Sequence, residues 1–100
     1  MSLYSVYVTP LAWREIKDLP GHIRQRVKRT IDELENNPHP AGSKKLETPK
    51  DIPAELWRIQ LDKWRIVYAL TEAENAIDVL AVRKRPPYDY GDLEALLTEV

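Results

Sequence analysis

The sequence predicts a two-layer α+β fold in the order β-α-α-β-β-β. Two helices pack on one face of a mostly antiparallel four-stranded sheet. Three observations carry this. A short alternating run opens the chain, Tyr4, Val6 and Val8 against Leu3, Ser5 and Tyr7. Two stretches with apolar residues three and four apart follow it. Three strand-like runs then come close together: Trp57–Leu61, Trp64–Tyr68 and Val79–Arg85.

Each element has a local cause. The first run is rich in aromatic and β-branched residues, which suit a pleated strand. Thr9-Pro10 then starts a helix, with Thr9 as N-cap and Pro10 at the first helical position, where its missing N–H costs nothing. Ala12, Ile16 and Leu19 share one face, and Leu19-Pro20-Gly21 breaks the helix. The second helix buries Ile23, Val27, Thr30 or Ile31, and Leu34. It shows Arg24, Lys28, Asp32 and Glu35 to solvent, and Asn36-Asn37-Pro38 ends it.

Residues 38–55 read as irregular, with Pro38, Pro40, Gly42, Pro49 and Pro53, and with Lys44-Lys45 inside them. In the next strand Trp57, Ile59 and Leu61 face one way and Arg58 and Gln60 the other. Asp62-Lys63 forms a tight hairpin turn without the preferred glycine. The third strand spans about Trp64 to Leu70. A loop over 71–75 leads to the fourth, about Ala76 to Arg83. Pro86-Pro87 stops that strand. Asp92 to Thr98 forms a short helix on Leu93, Leu96 and Leu97.

Composition bounds the rest. One hundred residues make one domain, 1–100, with an acidic tail at 86–100. No cysteine is present, which excludes disulfides and thiolate metal sites. No apolar run is long enough for a membrane span. Met1-Ser2-Leu3-Tyr4 lacks the regions of a signal peptide, so a cytoplasmic protein is expected. Net charge is −1, but residues 1–85 hold all fifteen cations against twelve acids, a body of +3 before the acidic tail. If the last three strands are neighbours, Arg58, Arg65 and Arg85 converge on one patch with tyrosines beyond it. Such a patch suits an RNA phosphate. The tryptophans are expected mainly in the core, and His22 and His39 in structural roles.

Asp18-Leu19-Pro20, Lys44-Lys45-Leu46, Trp57-Arg58-Ile59, Trp64-Arg65-Ile66-Val67-Tyr68 and Val82-Arg83-Lys84-Arg85 with a tyrosine following resemble, in order and spacing, the RelE/ParE toxin superfamily, and its RelE-like branch in particular. The resemblance implies a toxin of a type II toxin–antitoxin module that enters the ribosomal A site and cuts mRNA. The nucleophile would be the RNA's own 2′-hydroxyl, with no metal and no cofactor.

By position, Arg65 and Arg85 match family arginines. Arg58 and Gln60 stand where some members have lysines. Pro86-Pro87 shifts the register of the family's catalytic tyrosine, so Tyr88 and Tyr90 are both candidates, with Tyr90 preferred. Lys44, Lys45, Arg83 and Lys84 are the expected RNA-binding residues. Arginine is a poor general base, so Lys84, Lys44 or Lys45 are the candidates for proton transfer. The implied partners are a cognate antitoxin, the ribosome and mRNA, with operator DNA bound through the antitoxin. The rival reading is a non-catalytic protein: a ParE-like gyrase inhibitor or a toxin that only binds its antitoxin.

Overall fold

The computed structural model describes residues 3–48, 51 and 53–84. Strand β1 (Ser5–Val8) leads into helix α1 (Pro10–Lys17) and helix α2 (Gly21–Glu33). Four more strands follow: β2 (Ser43–Leu46), β3 (Glu55–Leu61), β4 (Trp64–Thr71) and β5 (Ala76–Lys84). They form one sheet in the order β1-β5-β4-β3-β2. Only the β1–β5 pair is parallel. The two-layer fold is the expected one, with one strand more. Lys44-Lys45, read as part of an irregular stretch, lies in β2, which pairs antiparallel with β3. Prolines on both sides hide a strand this short from a pattern search. The expected helix at 92–98 lies outside the described residues.

The local signals act as their chemistry requires. The Thr9 hydroxyl oxygen accepts from the Ala12 N–H at 3.3 Å and caps α1. The same hydroxyl donates to the Val79 carbonyl at 2.9 Å, which ties the cap to β5. Asp62 begins the β3–β4 turn at φ 57°, a left-handed conformation that a short polar side chain tolerates. Asn75 does the same at φ 51°, after a 3₁₀ turn over Glu72–Glu74.

The main core lies between the sheet and the helices. Ala12, Ile16, Ile23, Val27 and Ile31 meet Ile59, Ile66, Tyr68, Leu70, Ile77, Val79 and Val82, all buried. Trp57 and Trp64 pack against it, as expected of core tryptophans. Trp13 does not: it is exposed, and the Lys28 ammonium lies 5.4 Å from its ring centroid. A second, smaller cluster occupies the opposite face of the sheet: Leu56, Val67, Ala69, Leu80 and Ala81, with Leu11, Leu46 and Ala54 against it.

One irregularity sets the faces. Tyr68 pairs with Val79 but Val67 pairs with Ala81, so Leu80 is an extra residue, a β-bulge. Before the bulge Ile77 and Val79 face the helices; after it Val82 does. The bulge therefore turns Arg83 to the face away from the helices, opposite Arg65.

Candidate functional site

Four cations and a glutamine share the face of the sheet that turns away from the helices. Lys44 of β2 pairs with Arg58 of β3, whose partner on β4 is Val67. One step along, Gln60 of β3 pairs with Arg65 of β4, and Arg65 pairs with Arg83 of β5. Directly opposed residues on neighbouring strands stand about 4.5–5.5 Å apart. The side chains of Lys44, Arg58, Arg65 and Arg83 thus belong to one patch. Lys44 is exposed, and the three arginines are half-buried along their stems.

The patch is organised by hydrogen bonds. The Gln60 side-chain carbonyl accepts from Arg58 Nη1 at 3.5 Å, and its amide donates to the Asp62 carbonyl at 3.3 Å. Gln60 thereby spaces Arg58 from the hairpin. On the other flank, Glu15 of α1 accepts from Arg83 Nε at 3.0 Å. Like charges in register repel. Four of them in register on one face suit an anion of several charges, such as a nucleic-acid backbone.

The strand that carries Lys44 is tied to the core. The Tyr68 hydroxyl, on the helix side of β4, donates to the Pro38 carbonyl in the segment before β2. Burial pushes the Tyr68 phenol up to about 12, while a hydrogen bond with the Ser43 side chain at the start of β2 acts in the opposite direction.

Comparison with known proteins agrees with this architecture. The profile of the ParE toxin of type II toxin–antitoxin systems, parDE, matches residues 6–86. The chain belongs to this toxin family. It is a toxin of a type II toxin–antitoxin system within the RelE/ParE superfamily. Among solved structures, the archaeal RelE–RelB complex from Pyrococcus horikoshii OT3 is similar at TM-score 0.74 and 25% identity, over 86% of this chain and 99% of that one. The RelBE2 toxin–antitoxin complex of Mycobacterium tuberculosis aligns at 0.67 and 22% identity, over 85% and 94%. The isolated E. coli RelE toxin aligns at 0.66 and 21% identity, over 97% and 99%. No curated protein sequence matches the chain.

The toxin's cations divide between the two faces. Lys45 follows Lys44 in β2 and so projects to the helix side, where its ammonium lies 3.4 Å from Glu55 Oε2. The Trp57 indole N–H donates to the other Glu55 oxygen at 3.1 Å. These two partners, Trp57 first, lower the Glu55 pKa. Lys84 pairs with Trp64 and sits 5.6 Å from its ring centroid, again on the helix side. It lines a cleft of about 300 Å³ with Pro20, His22, Ile23, Lys63 and Trp64. His39 stacks on Trp57 with ring centroids 4.2 Å apart.

The structure therefore brings Lys44, Arg58, Arg65 and Arg83 together and places Lys45 and Lys84 across the sheet from them. Arg85, Tyr88 and Tyr90 lie outside the described residues. Among the described residues no group of three histidines, acids or cysteines could hold a metal, and no helix is long and apolar enough to cross a membrane. Glu15 was not anticipated from the sequence. Its one signal is its place four residues after Leu11, which puts both on the flank of α1 that reaches the far face of the sheet.

Proposed function

We propose that the toxin is a ribosome-dependent endoribonuclease that cuts mRNA and so stops translation. The observation that carries this reading is the register of Lys44 with Arg58 and of Arg65 with Arg83 on the face away from the helices. The ribose 2′-hydroxyl gives up its proton as its oxygen attacks the adjacent phosphorus; the P–O2′ bond forms, the P–O5′ bond breaks, and a proton is returned to the leaving 5′-oxygen. The products are a 2′,3′-cyclic phosphate and a 5′-hydroxyl. Negative charge builds on the phosphorane oxygens, and guanidinium groups stabilise it by bidentate hydrogen bonds. Arg58 and Arg65 are the central pair, Lys44 and Arg83 grip flanking phosphates, and Gln60 holds Arg58. Arg85 and Tyr90, or Tyr88, complete the catalytic set, with the tyrosine stacked on a base. Lys44 is the amine on this face for proton transfer.

The partner is a cognate antitoxin, as in the RelE–RelB complexes that share the fold. It neutralises the toxin by covering the cationic face, and the pair binds operator DNA through the antitoxin. The test is cell-free translation with purified toxin, followed by primer extension on the mRNA. Cuts that need ribosomes and fall roughly 100- to 1000-fold in rate in Arg65→Ala are expected. Wild-type toxin that leaves translation intact at every dose refutes the reading.

The ParE profile match favours a second reading, inhibition of DNA gyrase. That reading requires that the toxin block supercoiling by purified gyrase while translation proceeds. Unaffected supercoiling removes it.

A further inference from the structure

We propose that Glu15 is a positioning residue that holds the Arg83 guanidinium in place on the cationic face, and that it does so from the backbone of β5. The consequence for cleavage rests on the nuclease reading above; the geometry does not.

Arg83 lies on a face crowded with cations. It stands in register with Arg65, and like charges directly opposed on a sheet drive each other apart. Its long side chain has much rotamer freedom to lose, so repulsion favours swinging it into solvent. Glu15 opposes both effects. Its Oε2 accepts from Arg83 Nε at 3.0 Å. Its Oε1 accepts from the Val82 backbone N–H at 3.0 Å. A carboxylate fixed at both oxygens has a set direction, and here the strand backbone sets it.

The backbone bond has its own cause. The β1–β5 pairing ends at Val8 with Val79. Beyond that point no strand among the described residues flanks β5 on this side, and the Val82 N–H takes another acceptor. Helix α1 runs past the end of β1 and supplies one. Leu11, four residues earlier on the same flank, packs against the buried apolar cluster on the face away from the helices and anchors the helix there. The pair is also sheltered: the Arg83 side chain is 21% exposed and that of Glu15 24%. Water and salt screen it less than a surface pair.

The experiment has two independent parts. First, hydrogen exchange of the Arg83 Nε–H is followed by NMR in the toxin alone. Exchange at least tenfold faster in Glu15→Ala than in wild type is expected. Glu15→Gln, which keeps the side-chain length and one acceptor for Val82, guards against loss of the fold and is expected to speed exchange too. Unchanged exchange in both variants overturns the proposal.

Second, cleavage is measured for Glu15→Ala, Arg83→Ala and the double variant. Each single loss should be roughly tenfold to a hundredfold, the range for groups that orient a site's own residues. The double variant should lose no more than Arg83→Ala. A Glu15→Ala toxin that melts early but cleaves as wild type makes Glu15 a strand-edge cap only, and overturns the positioning role. Wild type that cuts no RNA refutes the nuclease reading, while the exchange result still decides the geometry.

Discussion

Replacing Tyr68 by Phe tests whether the core holds the strand that carries Lys44. The ring is fully buried and its hydroxyl donates to the Pro38 carbonyl, so Tyr68→Phe keeps the packing and removes one bond. Stranding that carbonyl should cost roughly 1–3 kcal/mol at pH 7. For a domain of this size each kcal/mol lowers Tm by about 4–8 °C. The pH dependence makes the test sharper. The free phenol titrates near 10 and the folded one near 12. Between these values the unfolded chain gives up the proton and the folded chain keeps it. Rising pH therefore favours unfolding, and the stabilisation, complete below pH 10, is lost as pH climbs through 12. At pH 11 wild type should have lost about 1.4 kcal/mol that Tyr68→Phe cannot lose. Urea unfolding followed by tryptophan fluorescence at pH 7, 9, 10 and 11 measures both proteins. The gap between them should be widest below pH 10 and narrow by pH 11. Equal stability at pH 7, or a gap that stays constant to pH 11, refutes the reasoning.

Three further outcomes follow from the structure. Thr9→Ala removes the N-cap of α1 and a buried bond to β5, and should cost about 1–2 kcal/mol in the same urea assay. Ile66→Ala opens the centre of the main core at a fully buried position and should cost about 2–5 kcal/mol, a large part of a small domain's stability. Lys44→Ala and Lys45→Ala change adjacent residues on opposite faces. In RNA cleavage or binding at moderate salt, Lys44→Ala should weaken the toxin several-fold, with a shallower salt slope, and Lys45→Ala should match wild type. Equal losses in the two would show that the face away from the helices is not the RNA face.

Much of the fold was legible because its signals are local. Thr9-Pro10 can start a helix wherever it occurs. The spacing of Ile23, Val27, Ile31 and Leu34 marks one helix face without reference to the sheet. Trp57, Ile59 and Leu61 alternate with Arg58 and Gln60 strongly enough to orient β3 unaided. β2 was not legible, because four residues between prolines become a strand only by borrowing the free edge of β3. The candidate site was partly legible for the same reason. Arg58 and Arg65 sit in strands whose alternation is unbroken. Lys44 and Lys45 looked equivalent in sequence, and only their pairing with Arg58 and Trp57 separates them.

By itself the sequence determined the order of the two helices and of every described strand but β2, the two helix faces and the arginine-bearing side of the β3–β4 hairpin, since periodicity and turn chemistry act over a few residues. The tertiary structure decided the rest. Counting by twos from Ile77 and Val79 sends Arg83 toward the helices. The extra residue at Leu80 reverses that, and the bulge is visible only in how β5 pairs with β4. Glu15 meets Arg83 for a similar reason. They are far apart in the chain, and β1 is short enough to leave an edge that α1 fills. Which residues share a face after a bulge, and which helix reaches an open strand edge, are set by strand pairing rather than by the local pattern.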